Sequence, residues 1–220
     1  MNVLIACEHS AVVRDAFRAR GHNAWSCDLL PCDGDVKWHL QCDALDAARC
    51  LKWDLMIAHP DCTYLCSSGL HWNNKTPGRA ALTEQALKFV RDLLRCDIPK
   101  IALENPVGRI GTAIRKADQY IQPYEFGHDA SKKTGLWLKG LPLLEPTQLI
   151  SPRLVCCGET LPEGVGKYEC PYCQGDEKPK MRWANQTNSG QNKLGPSDDR
   201  WKLRSITYKG IAKAMAEQWS

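Results

Sequence analysis

The stretch from Asp54 to Gly69, D-L-M-I-A-H-P-D-C-T-Y-L-C-S-S-G, restricts the architecture of this chain more than any other. Its apolar run, bounded by Asp54 and Pro60, has the length and composition of a strand buried on both faces, and such strands belong to parallel sheets covered by helices. Ligands of open α/β sheets sit at the carboxyl ends of these strands, which puts Cys62 in a crevice. A lone cysteine is more often a buried structural thiol. Pro60, Asp61, Thr63 and the Ser67-Ser68-Gly69 turn are poor core neighbours, however, and favour a functional thiol.

The same alternation recurs along the chain. Val3 to Cys7 reads as a strand. Ser10 is a candidate cap for the amphipathic run Val12, Val13, Ala16, Phe17 that ends at Gly21, and a second strand from Asn23 closes on Asp28. An acidic residue there is placed to bind a ribose hydroxyl pair, although Asp28 alone also fits an ordinary turn. The turn Glu8-His9-Ser10 lacks the glycines of a dinucleotide fingerprint, so no pyrophosphate site is implied. Asp43 precedes a helical stretch, Ala44 to Cys50, and is a second candidate for cofactor contact. Leu82, Ala86, Val90 and Leu93 recur at helical spacing, and Ile101-Ala102-Leu103 starts a buried strand that ends on Glu104-Asn105-Pro106. Glu104 and Cys62 are therefore expected to open onto one sheet edge. Between them, the polar segment Leu70 to Arg79 is expected to cover the site as a mobile lid. Gly111 to Ala117 reads as a short helix, Tyr120-Ile121, Tyr124 to Phe126 and Gly135 to Leu138 as strands, and Ile211 to Trp219 as a helix that packs through Ile211, Met215 and Trp219.

From Pro142 the composition shifts to Pro, Gly and Lys, with Cys156-Cys157 and the C-x-x-C of Cys170 and Cys173. Four thiolates suffice for a closed tetrahedral Zn2+ site, and a segment with few apolar residues needs such a staple. The 12 cysteines, with no secretory leader pattern ahead of the first strand, point to a reducing, cytoplasmic setting. No apolar run is long enough for a membrane span. A formal charge of +4 permits nucleic acid as a partner without requiring it. Lys132 and Lys133 could meet phosphate or stand as solvated surface lysines, and the amide-rich run with Asn188, Gln191 and Lys193 could contact bases or serve as a linker.

Taken together, these landmarks resemble the cytosine-5 DNA methyltransferases. The Asp54–Gly69 stretch is similar to that family's strand and Pro-Cys loop, Glu104-Asn105-Pro106 resembles its Glu-Asn-Val motif, and Tyr208 to Met215 resembles its last helix motif. The resemblance implies an α/β fold built on a Rossmann-like S-adenosylmethionine-dependent methyltransferase sheet with a small Cys-rich zinc insertion. It divides the chain into a catalytic domain (1–142 and 203–220) and a target-recognition insertion (143–202). It implies Cys62 as nucleophile, with Glu104 and Asn105 beside it. S-adenosyl-L-methionine would lie against Cys7, Glu8, Ser10, Asp28, Leu29, Asp43, Ala44 and Pro60. Duplex DNA with a flipped base would meet Lys132, Lys133, Asn188, Gln191 and Lys193, in the cytoplasm of a prokaryote or a phage-infected cell. Asp61 stands where the family usually has a second proline and Thr63 where it has glutamine, the glycine-rich cofactor loop is missing, and its Gln-x-Arg-x-Arg motif is absent after Gly127. Two other readings keep parts of this pattern: the same fold acting on RNA or a free pyrimidine nucleotide, and a non-catalytic zinc-bearing nucleic-acid-binding protein.

Overall fold

Strand β1 (Asn2–Ala6) carries four consecutive buried residues, and β4 (Leu55–Ala58) and the middle of β5 (Lys100–Pro106) are equally dry, in a computed structural model that describes residues 1–162, 170–173 and 178–220. Such continuous burial demands cover on both faces. Helices α1 (Val12–Ala19), α2 (Ala44–Cys50), the four-residue α3 (Ser67–Leu70), α4 (Arg79–Leu94), the four-residue α5 (Ile110–Ala113), α6 (Arg200–Ser205) and α7 (Lys209–Gln218) punctuate the strands. One face of the sheet, with Leu4, Ala6, Met56, Ala58, Ile101 and Leu103, packs on Ala44 and Ala47 of α2 and Leu87, Val90 and Leu93 of α4. These residues alternate along each strand, as the pleat requires. Helices α1 and α7 pack on each other, burying Val13, Phe17, Ile211 and Met215, with Trp219 buried just past the end of α7.

With β2 (Asn23–Asp28), β3 (His39–Gln41), β6 (Gln119–Ile121) and β7 (Thr134–Lys139), the main sheet has seven strands in the order β3-β2-β1-β4-β5-β7-β6. Strands β1 to β5 run parallel and β7 returns antiparallel to both β5 and β6. This is the Rossmann-like α/β sheet expected from the sequence. Its order reverses between β1 and β4, and the crevice at such a switch point is where open sheets bind ligands.

Helix α5 stops at Ala113, short of the expected Ala117. The Arg115 carbonyl instead accepts the indole N–H of Trp137 at 2.8 Å, and Arg115 pairs with Asp118 at 2.7 Å, which turns the chain into β6.

Two compact units result: Met1–Ile121 with Lys133–Glu145 and Thr207–Ser220, and Gln122–Lys132 with Pro146–Ile206. The second contains a three-stranded antiparallel sheet, β10-β8-β9, of β8 (Arg153–Cys156), β9 (Glu159–Thr160) and β10 (Lys180–Arg182). The strand expected at Tyr124–Phe126 is a 3-10 turn over Pro123–Glu125, closed by a reciprocal cap between Gln122 and Glu125. Proline at its first position fixes φ and has no N–H to contribute to a ladder. Tyr124 stacks on Trp183 at 4.3 Å and 3°, and Ser131 and Asn185 exchange hydrogen bonds of 3.0 and 2.9 Å. The amide-rich run thus has structural partners that its sequence does not reveal.

Candidate active site

Parallel register builds the site. Ala6 pairs with Cys27 on one side and Ala58 on the other, and Ala58 pairs with Leu103. The next residue on each strand therefore falls in one row along the rim: Asp28, Cys7, His59 and Glu104. Four polar or reactive groups from segments far apart in sequence stand side by side because the four strands end level.

Glu104 and the loop of Cys62 are joined at three levels. The His59 ring lies with Nδ1 3.1 Å from Glu104 Oε2. The Asn105 amide, 1% exposed, donates to the Pro60 carbonyl at 2.7 Å. Further out, the Ser67 N–H donates to the Val107 carbonyl at 3.1 Å and the Arg109 N–H to the Leu65 carbonyl at 2.7 Å. A Cβ on Gly108 would lie 2.0 Å from the Leu65 carbonyl oxygen, so only glycine admits this approach.

The cysteine loop is ordered by its unusual neighbours. Asp61 Oδ1 accepts from both the N–H (2.9 Å) and the hydroxyl (2.7 Å) of Thr63, an Asx turn that makes these two residues partners. The Cys62 carbonyl then accepts the Leu65 and Cys66 N–H groups, and half-buried Cys62 is in no disulfide. Cys66 Sγ lies 3.1 Å from Ser68 Oγ. The segment expected as a mobile lid, Leu70 to Arg79, starts at the last residue of α3, forms a 3-10 turn over His71–Asn74 and ends where α4 begins. Thr83 anchors it: its hydroxyl accepts from the Asn73 amide at 3.0 Å and donates its one proton to the Tyr64 carbonyl at 3.1 Å. Arg79 donates to the Thr63 carbonyl at 3.0 Å and lies over the Tyr64 ring.

On the β1 side of the row, Cys7 adopts φ 58° and Ala11 φ 64°, left-handed conformations that suit the glycines absent from this loop. Burial pushes the Cys7 thiol well above its ordinary pKa, and Cys27, Asp28, Asp43 and Asp61 add to the shift. Asp28 accepts the Leu30 N–H with one oxygen, Leu29 beside it is exposed, and Asp43 caps α2 through the Leu45 N–H, with Ala44 buried behind it. Glu8 is buried and serves α1: its oxygens accept the Val13 N–H at 2.7 Å and the Arg14 N–H at 3.2 Å, while Ser10 donates to it at 3.3 Å. Burial raises its pKa, with His59 and these N–H groups pulling the other way.

In the second unit, Cys156, Cys157, Cys170 and Cys173 come together with their sulfurs within 4.8 Å of one another. The Cys156–Cys173 and Cys157–Cys170 sulfurs lie 3.6 and 3.7 Å apart. Thiolates about 2.3 Å from a tetrahedral zinc stand roughly 3.8 Å from each other, so the four sulfurs can hold such an ion. Burial raises the Cys170 thiol, but the N–H groups of Tyr172 and Cys173 and the hydrogen bonds of the Cys173 and Cys156 thiols together outweigh it and bring the pKa to about 7. The remaining candidates are dispersed. The Lys132 ammonium donates to the Arg204 carbonyl at 2.9 Å, Lys133 of the first unit lies over the Tyr120 ring, the Asn188 carbonyl accepts from Arg182 Nε at 2.9 Å, the Gln191 carbonyl accepts the Thr187 N–H, and the Lys193 N–H donates to the Asn185 carbonyl.

His59 and Arg79 carry no recognisable sequence signal. A histidine before a proline and an arginine opening a helix acquire meaning only from the strands and loops that come to meet them.

Among solved structures, the chain is similar to a protein described as a DNA modification methyltransferase encoded within an E. coli prophage, with 12% identity and a TM-score of 0.45 over 68% of this chain and 52% of that one. It is also similar to an rRNA methylase from Escherichia coli (15%, TM-score 0.37, 63% and 56%) and to the 16S rRNA methylase RmtB (15%, TM-score 0.35, 63% and 55%). The chain spans about half the length of each. No family model and no curated protein matches its sequence.

Proposed function

We propose that this chain is an S-adenosylmethionine-dependent methyltransferase that modifies carbon 5 of cytosine in DNA through a covalent adduct on Cys62. The observation that carries the reading is the joined pair of strand ends, with the Cys62 loop after β4 bound to the Glu104 strand through Asn105, Val107 and Arg109. A pyrimidine carbon is a poor nucleophile until a thiolate adds next to it. In this reading the Cys62 sulfur bonds carbon 6, electron density moves toward ring nitrogen 3, and Glu104 gives that nitrogen a proton, which leaves carbon 5 nucleophilic. Once carbon 5 has gained the methyl group, the nitrogen-3 proton returns to Glu104, the carbon-5 proton passes to water and the thiolate leaves, which restores the ring.

The cofactor fits the rim. Bound S-adenosylmethionine would supply an electrophilic methyl on a cationic sulfonium, and the negative charge of Asp28, Asp43 and Asp61, which also acts on Cys7, suits a cation. Asp28, at the end of β2, would take the ribose hydroxyls with its second oxygen. Residues 1–142 and 203–220 would form the catalytic domain. Residues 143–202 would hold a structural zinc on the four cysteines and, with Lys132, Lys133, Asn188, Gln191 and Lys193, contact the DNA around a base flipped from the duplex.

The test is nucleoside mass analysis of DNA from cells expressing the protein, with transfer of labelled methyl groups to duplex DNA, tRNA and dCMP in parallel. We expect 5-methylcytosine in DNA, its loss in Cys62→Ser and its retention in Cys66→Ser. An active Cys62→Ser variant would refute the covalent mechanism.

A further inference from the structure

Glu104 must keep one oxygen turned toward the pyrimidine while its charge changes, and the Arg-rich motif that the family resemblance leads one to seek after Gly127 is missing. The row along the sheet edge offers a replacement. His59 stands next to Glu104 through the Ala58–Leu103 pairing, and its Nδ1 lies 3.1 Å from Glu104 Oε2. Both side chains are largely withdrawn from water, at 9% and 16% exposure, so their contact is weakly screened. Glu8 interacts with His59 electrostatically, and its own carboxylate is already engaged by the N-terminal amides of α1. His59 Nε2 is buried with no hydrogen-bond partner among the described residues, so the ring's hydrogen bond to Glu104 is made through Nδ1.

We propose that His59 is the positioning residue of Glu104, donating its Nδ1–H to Oε2 so that Oε1 faces the pyrimidine ring. The inference rests on the methyltransferase reading and deepens it. As the Cys62 sulfur bonds carbon 6, the Oε1 proton passes to ring nitrogen 3 and Glu104 becomes a carboxylate. The Nδ1–H bond strengthens as that charge forms, which favours the adduct over the free base. No proton leaves His59, and the Glu104 proton returns when the adduct collapses. The backbone of β4 and the loop hydrogen bonds already hold the strand end, so the contribution of His59 is to Glu104 and not to the path of the chain.

Two substitutions separate this role from packing. In His59→Asn the amide nitrogen takes the place of Nδ1 and keeps a donor to Glu104, whereas His59→Leu fills the space without one. Steady-state methyl transfer reports turnover, and release of tritium from carbon 5 of labelled cytosine in the absence of the methyl donor, where it occurs by exchange through the adduct, reports adduct formation. We expect His59→Leu to lower kcat and tritium release by roughly 100-fold, the cost of removing one preorganised donor. KM for DNA should stay within about twofold, since the interaction is made in the transition state. His59→Asn should recover most of the loss. Equal activity of the Leu and Asn variants, both melting like the wild type, overturns the proposal. If the wild-type protein modifies no cytosine substrate, the functional reading fails instead. The His59–Glu104 contact is then read from the NMR nitrogen-15 shifts of the His59 ring at a fixed pH: shifts unchanged in Glu104→Gln overturn the pairing, and a changed Nδ1 shift upholds it.

Discussion

Removing metal from the four-cysteine cluster should unfold the small sheet around it and leave the seven-stranded sheet intact. The apolar core next to the thiols is limited: among the described residues it comprises Cys156, Leu161 and Cys170, with Leu154, Cys157 and Cys173 partly buried against them. Complete burial of one leucine contributes about 1.5–3 kcal/mol. A structural zinc in a small module contributes roughly 10–16 kcal/mol of apparent binding energy at neutral pH, several times that amount. With zinc bound, the cluster would be the principal support of β8 and β9, which meet through the Cys156–Glu159 and Val155–Thr160 pairs. Purified protein should contain one zinc per chain by elemental analysis, and a strong chelator should split a thermal melt into two transitions. Cys170→Ser should reproduce the chelated state. Trp183, stacked on Tyr124, supplies a fluorescence signal within the second unit, and the main sheet can be followed by far-ultraviolet circular dichroism. A protein that carries no metal as purified and melts identically with and without chelator would refute the argument.

Two further outcomes follow from buried polar groups. The folded Glu8 carboxyl has a raised pKa, so between its unfolded value of about 4.3 and its folded value the native state holds a proton that the unfolded chain has released. Stability should consequently fall as pH rises through that window, and Glu8→Gln should remove this slope in urea titrations; an identical slope in the variant would count against it. Asn105→Ala strips the Pro60 carbonyl of its 2.7 Å donor in a buried setting and should cost about 1–3 kcal/mol in denaturant unfolding, with loss of methyl transfer as the Cys62 loop loosens.

Much of this molecule was legible in the linear chain where the signal is local. The runs at Val3, Leu55 and Ile101 are too apolar and too short for anything but buried strands, and β1, β4 and β5 lie there. The four cysteines likewise declare a shared site through their softness and number, and their sulfurs converge. Where a competing local interaction intervened, the reading went astray: Pro123 and the Gln122–Glu125 cap made a turn of an expected strand, and the Arg115–Trp137 contact cut α5 short.

What the sequence determined by itself was the kind of sheet, the order in which its strands appear and the residues that end them, because backbone propensity and hydrophobic period act over a few residues. It could place Cys62 after one strand and Glu104 after another. Only the tertiary structure decided that Asp28, Cys7, His59 and Glu104 form one row, that Gly108 lets the two loops close on each other, and that a histidine without any motif of its own meets the Glu104 carboxylate. Those facts depend on the register between strands 45 or more residues apart in the case of His59 and Glu104, and register is settled by packing the whole buried face at once.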